Sequence, residues 1–148
     1  MQLKNTLPWR IALVAYLGSL GVIGFWPTPV DQPIQGTLAT VLNFLHRHGV
    51  PHWFDYHVVE SSANVAMFIP LGIFAAMAFP TRAWWVLTGL GILVSTCMEL
   101  GQLLFITARF SSVVDVVMNT LGTVIGVAAM QLLARRRRTK FASPQGTS

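Results

Sequence analysis

Four long stretches without a charged side chain constrain this sequence more than any other feature. They cover residues 11–30, 61–81, 83–98 and 116–134, and the third resumes after Glu99 as far as Ala108. An α-helix needs about 20 predominantly apolar residues to cross a hydrocarbon core about 30 Å thick. Each stretch is therefore predicted to form a transmembrane helix.

The predicted fold is an all-α, polytopic membrane protein with one transmembrane domain at residues 1–134 and a basic tail at 135–148. A short amphipathic helix is predicted in the outer loop. The four predicted spans lie at about residues 9–28, 60–80, 83–106 and 112–134.

The first span has an alternative interpretation as a signal peptide, since Lys4 and Arg10 stand in or before its apolar run. No small-residue cleavage site follows Trp26, and Pro27 and Pro29 occupy the place where one is expected. We therefore interpret this span as an uncleaved helix.

Composition excludes several other classes of protein. Hydrophobic residues make up 53% of the 148 residues and charged residues only 10%, too few to cover a soluble surface or to keep a chain disordered. One cysteine excludes an internal disulfide and a cysteine-based zinc site. The net charge of +5 comes largely from the tail, so we predict no nucleic-acid partner.

The distribution of lysine and arginine predicts the orientation. With four spans both termini lie on one side, and that side carries eight basic residues against two on the other. The eight are Lys4, Arg10, Arg82, Arg135, Arg136, Arg137, Arg138 and Lys140, and the two are Arg47 and Arg109. Because cytoplasmic loops are enriched in lysine and arginine, we expect both termini to be cytoplasmic in a bacterial plasma membrane.

The outer loop carries an amphipathic pattern and all four histidines. Leu38, Val41, Leu42 and Leu45 lie on one helical face, between a Thr37 cap and a Gly49 stop. This helix is predicted to lie on the outer leaflet or to cover the bundle. His46, His48, His52 and His57 lie in this loop with Asp55, but Pro51 breaks the helix between them, so we predict no metal site.

Small residues recur at helical spacing in the spans, and Gly122 and Gly126 form a GxxxG pair in the last one. Such residues let two helix backbones approach closely in lipid. The pair predicts a close seam, either within the four-helix unit or in a homo-oligomer.

Polar residues within the spans are the strongest candidates for a binding site. Each of the last three spans carries two on one helical face, three or four residues apart, and a basic residue follows the third span. The candidate binding residues are Glu60, Asn64, Glu99, Gln102, Arg109, Asp115 and Asn119.

Helical rise places these residues at a common depth. At about 1.5 Å per residue, Asn64, Glu99 and Asp115 lie about 5–6 Å below the outer face, and Asn119 about 10 Å below it. A carboxylate inside a bilayer costs about 2.5–3.5 kcal/mol on insertion scales. These residues are therefore expected to form either a structural polar cluster bridged by Arg109 or a pocket for a polar head group.

The charges restrict the ligand. Three carboxylates face one arginine, so a bare phosphate meets net repulsion unless a carboxyl is protonated or Mg²⁺ or Ca²⁺ bridges the groups. A cationic or neutral polar group needs neither. No resident cofactor is predicted, and a divalent cation stays an open alternative.

The ordered set of these residues resembles a known family. The set is Glu60, Asn64, Val65, Phe68, Pro70, Leu71 and Gly72, then Glu99, Leu100 and Gln102, then Arg109, then Asp115, Val116, Asn119, Thr120, Leu121, Gly122 and Gly126. Over residues 53–134 it resembles the VanZ-like family of small bacterial integral membrane proteins, named for a determinant of teicoplanin resistance. The resemblance implies a cell-envelope protein with a link to glycopeptide susceptibility, and it supplies no catalytic residue.

Three functions remain open at this point. The first is binding of an envelope lipid or a lipid-linked peptidoglycan precursor in the outer leaflet. The second is an enzyme that acts on such a lipid through paired carboxylates, since such pairs can do general acid–base chemistry. The third is a small oligomeric transporter or flippase, since the scarcity of polar groups in the inner half disfavours transport by a monomer.

Overall fold

Each apolar stretch forms one long helix in the computed structural model, which describes residues 5–26, 35–105 and 112–142. The helices are α1 (Leu7–Gly24), α2 (Gln35–Arg47), α3 (Tyr56–Ala78), α4 (Trp84–Phe105) and α5 (Val113–Ala142). No strand occurs within these described ranges. The all-α prediction is confirmed.

Four helices are long and apolar enough to cross a membrane, and they correspond to the four predicted spans. They are Leu7–Gly24, Tyr56–Ala78, Trp84–Phe105 and Val113–Arg136. The chain is therefore a multi-pass membrane protein, and α2 is the additional short helix predicted between the first and second spans.

The ends of α2 and α3 have identifiable caps. Gly49 has a φ of +97°, and Val50 N–H donates to Leu45 O at 3.1 Å, which ends α2 in the manner of a Schellman motif. Asp55 caps α3, because its Oδ1 accepts from Val58 N–H at 3.2 Å. This cap explains why α3 begins four residues before the predicted span.

The last helix continues past the predicted span through the basic segment to Ala142. Arginine and lysine have high helix propensity, and cations near a helix C-terminus interact favourably with its dipole. Charge therefore ends the membrane-spanning part of α5 without ending the helix.

Helix α3 packs against α1, α4 and α5, and α5 also packs against α4. The apolar core is formed by Leu13, Leu20, Phe68, Leu71, Ala75, Ala78, Leu87 and Val127. Tyr16 of α1 donates a hydrogen bond of 2.6 Å to Met67 O of α3, next to the turn that Pro70 interrupts. α2 contacts α3, with Leu42 buried.

The closest backbone approach is between α3 and α5. A Cβ added to Gly122 would meet Val65 O, and one added to Gly126 would meet Ile69 O. The GxxxG pair therefore forms a seam within one chain. A homo-oligomer through the same residues is untested and stays a prediction.

Candidate functional site

The buried face of α4 is polar. Apart from Leu87, each of its buried residues is polar or is glycine, and these are Thr88, Gly91, Ser95, Glu99 and Gln102. They recur every three or four residues and therefore form one stripe along the helix. Large apolar residues of α4, such as Leu93 and Leu103, are more than 60% exposed. The helix thus turns its apolar side outward, as a membrane helix with a polar interior does.

Helix α5 presents a matching polar stripe to α4. Asn119 is 4% exposed and Thr123 is 1% exposed. Asn119 Nδ2 donates to Ser95 Oγ at 2.9 Å, and Thr123 Oγ1 donates to Asn119 O at 3.0 Å. The first of these bonds joins α4 to α5 near the middle of the membrane segment, and the second lies within α5.

One atom of this set lacks a hydrogen bond. Asn119 Oδ1 is buried and has no partner within the described part of the chain. A buried polar atom without a hydrogen bond costs about 1–3 kcal/mol by protein mutational measures. The stripe therefore holds a buried acceptor that has no donor among the described residues.

The side chain of Glu99, near the end of α4, contacts the start of α5. Its Oε2 accepts from Ser112 N–H at 2.9 Å, and its side chain is buried. Ser112 Oγ in turn accepts from Val114 N–H at 3.1 Å. Because a helix N-terminus carries free N–H groups and partial positive charge, this position stabilises the carboxylate.

Asp115 lies in the first turn of α5 and links that helix to α3. Asn64 Nδ2 donates to Asp115 Oδ1 at 2.7 Å. The two carboxylates predicted to share a depth therefore both lie at the N-terminal end of α5.

The other predicted residues lie apart from these contacts. Gln102 is buried, but its Nε2 donates to Gly24 O at 2.9 Å and so joins α4 to α1. The side chain of Glu60 is 48% exposed and lies 3.9 Å from His57 Nδ1. Arg109 and most of the predicted turn around it lie outside the described residues.

Three residues of the site were not among the predicted candidates. Ser95 and Thr123 extend the stripes of Glu99 and Asn119 by one helical turn, and Ser112 is the N-cap of α5. The spacing of four residues from a polar residue already identified was a usable signal for Ser95 and Thr123.

The histidine loop forms local contacts. His46 Nε2 lies 2.9 Å from Phe54 O, and His48 Nδ1 lies 2.7 Å from Phe44 O. No group of three metal-binding side chains occurs in the residues that the structure describes. Cys97 is exposed on the outer surface of α4.

The site is rich in hydrogen-bond acceptors. Glu99 accepts from a backbone amide and Asp115 from an amide side chain, while Asn119 Oδ1 has no described donor. Such a set can bind a group that donates hydrogen bonds or carries positive charge. A divalent cation would have carboxylate and amide oxygens of the type that Mg²⁺ and Ca²⁺ prefer.

Comparison with known proteins assigns the family. The searches of curated proteins and of solved structures gave no match. A family model described as VanZ/LLP1 matches residues 13–134. The match runs from within α1 to the membrane-spanning part of α5 and includes Asn64, Glu99, Asp115 and Asn119. On this extent of agreement, the chain belongs to the VanZ/LLP1 family.

Proposed function

We propose that this protein binds the polar head group of an envelope lipid, or of a lipid-linked peptidoglycan precursor, in the outer leaflet of a bacterial plasma membrane. Binding there alters susceptibility to glycopeptides such as teicoplanin. The proposed site is Glu99, Asp115 and Asn119, with Arg109 completing it. Membership of the VanZ/LLP1 family supports a role in the cell envelope.

The observation that carries this proposal is the unpartnered Oδ1 of Asn119, buried beside a hydrogen-bonded Nδ2. If helix adhesion were the only role of this amide, an apolar side chain of similar size would avoid the cost of the buried acceptor. A ligand with a hydrogen-bond donor satisfies that acceptor.

Charge favours a donor-bearing ligand. Glu99 and Asp115 add negative charge at the start of α5, where the partial charge of the helix end compensates it only in part. Hydroxyl, amide or ammonium groups of a head group suit these acceptors directly. A phosphate group needs Arg109 or a bridging divalent cation.

The proposed orientation places both termini in the cytoplasm, following the excess of lysine and arginine at that end of the bundle. Topology reporters fused after Arg82 and after Lys140 should report the cytoplasm, and one fused near His48 should report the outside. A cytoplasmic signal at His48 would move the proposed site to the inner leaflet.

Amide substitutions test the site. Glu99→Gln and Asp115→Asn keep an oxygen that can accept from Ser112 N–H and from Asn64, so each should change stability by less than about 1 kcal/mol. We expect both variants to abolish the effect on the minimal inhibitory concentration of teicoplanin. Membrane abundance, measured by immunoblot on the same cells, should stay at the wild-type level.

Glu60→Gln is the matched control, because it removes the same charge from an exposed side chain. It should leave teicoplanin susceptibility unchanged. Full activity of both amide variants would contradict the proposal. Parallel loss of activity and abundance would instead favour a structural role. In that role Arg109 bridges the carboxylates, and leaving it buried without a charged partner costs about 3–5 kcal/mol.

A further inference from the structure

A second polar site lies at the opposite end of the α4–α5 interface. A cavity of about 280 Å³ lies between the start of α4 and the last membrane turns of α5. An adjoining one of about 320 Å³ shares Trp84, Gln131 and Arg135 with it. We call the two together the inner groove. Neither cavity is lined by Glu99, Asp115 or Asn119, the described residues of the site proposed above.

The inner groove contains an unpartnered buried hydroxyl. Thr88 lines it, is 8% exposed, and its Oγ1 has no hydrogen-bond partner within the described residues. A threonine in a helix commonly bonds the carbonyl four residues earlier, and Thr123 does so in α5. The hydroxyl of Thr88 therefore remains available to a ligand in the groove.

The entrance of the groove is basic. Arg135 lies at the end of the span Val113–Arg136, beside Trp84 at the start of α4. No carboxylate in the described ranges forms an ion pair with Arg135. Arginine and tryptophan at this level are typical of the head-group region of a bilayer. Arginine also binds phosphate through two parallel hydrogen bonds.

The depth of the lining residues distinguishes a lipid from a free anion. Gln131 and Thr88 lie about one helical turn, about 6 Å, deeper than Arg135 and Trp84. Val124 and Val127 line the groove deeper still. The order from the entrance inward is thus basic, polar and apolar, which matches the phosphate, the glycerol esters and the acyl chains of a phospholipid.

We propose that the inner groove binds an anionic phospholipid. Arg135 pairs with the phosphate, Gln131 donates to the head-group oxygens, and Thr88 Oγ1 donates to an ester carbonyl. The acyl chain follows the apolar wall of α5. This site is independent of the outer-leaflet site proposed above.

The test uses the full-length protein in detergent and short-chain lipids as probes. Dihexanoyl phosphatidylglycerol and dihexanoyl phosphatidylcholine are titrated, and binding is followed by the shift in thermal unfolding and by native mass spectrometry. Both lipids carry the phosphate that Arg135 binds, but phosphatidylcholine also carries a quaternary ammonium group that a basic entrance repels. We therefore expect wild-type protein to bind phosphatidylglycerol about tenfold more tightly.

Two variants and one control locate the binding. Arg135→Gln should weaken phosphatidylglycerol binding about tenfold. Arg82→Gln removes the same charge at the same end of the bundle, outside the groove, and should change it less than about twofold. Thr88→Val should weaken binding of both lipids several-fold, since both carry the ester, while the lipid-free protein stays at least as stable.

Several results would overturn the proposal. Equal affinity for the two lipids would mean that the groove does not select an anionic lipid. An effect of Arg82→Gln as large as that of Arg135→Gln would mean that general charge attraction accounts for binding. If Thr88→Val binds both lipids as tightly as the wild-type protein does, the lipid does not bind in the inner groove. Inorganic phosphate that protects wild-type protein as strongly as phosphatidylglycerol would assign the groove to a soluble anion.

Discussion

The two faces of α5 pack against their neighbouring helices, α3 and α4, through different interactions. Toward α3, Gly122 and Gly126 present no side chain, and the two backbones meet directly. Toward α4, Asn119 and Thr123 present polar side chains, and the helices are joined through a hydrogen bond to Ser95. Close backbone packing thus dominates the face toward α3, where a described side-chain hydrogen bond joins Asn64 to Asp115 at the N-terminal end, and polar side chains dominate the face toward α4.

This difference follows from the bilayer as a solvent. Lipid tails are as apolar as leucine, so burying apolar surface between helices gives little driving force, and close packing and hydrogen bonds replace it. Within the described residues, no side chain on the glycine face has a buried polar atom without a partner. The face toward α4 leaves Asn119 Oδ1 without a described partner. Asn119 therefore lies on the face whose interactions are incomplete, whereas Asp115 is hydrogen-bonded to α3.

Gly126→Ala should produce the largest effect on stability. The added methyl group would meet Ile69 O of the α3 backbone, which no side-chain movement can relieve. We expect a loss of about 2–3 kcal/mol, in the range for overpacked cores. Unfolding in detergent, followed by circular dichroism, measures it.

Gly89→Ala is the matched control, because nothing lies within 4 Å of an added Cβ there. Its stability should rise by about 0.5–1 kcal/mol, because alanine is the better helix former. Equal effects of the two substitutions would show that the α3–α5 seam is looser than the structure indicates.

Ser95→Ala should have an intermediate effect on the polar face. It leaves Asn119 Nδ2 without its acceptor and should cost about 1 kcal/mol. Asn119→Leu in the same background removes the whole buried amide and should recover part of that loss. A double-mutant cycle over these two positions should give a coupling of about 0.5–1.5 kcal/mol. Strict additivity would mean that the hydrogen bond contributes nothing.

Thr123→Val should have the smallest effect. Within the described part of the chain, Thr123 Oγ1 bonds only to Asn119 O of its own helix, and valine keeps the shape that packs against Gly91. We expect a change within about 0.5 kcal/mol, since such back-bonds add little to helix stability. A larger loss would show that polarity at this position also joins the two helices.

The sequence predicted the depth of residues in the membrane better than the neighbouring helix that each side chain faces. Charge-free runs fixed the four spans, and rise per residue placed Asn64 and Asp115 at one level, where they share a hydrogen bond. Gln102 also lies one turn from Glu99, yet it turns toward α1 and Gly24. Depth is counted along a helix axis, whereas the rotation of each helix depends on its neighbours.

Side-chain capping at the starts of α3 and α5 is the other feature that the residue pattern does not predict. Asp55 was weighed as a metal ligand among the histidines, and it caps α3. Arg109, the predicted partner of Glu99, lies outside the described residues, so that pairing stays a prediction; Glu99 Oε2 also accepts from Ser112 N–H. Every residue except proline has a backbone N–H, so the sequence does not show which carboxylates accept hydrogen bonds from the backbone.

The contact between Glu99 and Ser112 also bears on how the chain enters the membrane during synthesis. Its donor follows 13 residues later, at the start of the next helix. Asp115 emerges after its partner Asn64, which lies 51 residues earlier in α3. Both acids therefore meet their described partners by the time the first turn of α5 is made. The hydrogen bonds described for these two carboxylates need no segment that is synthesised after that turn.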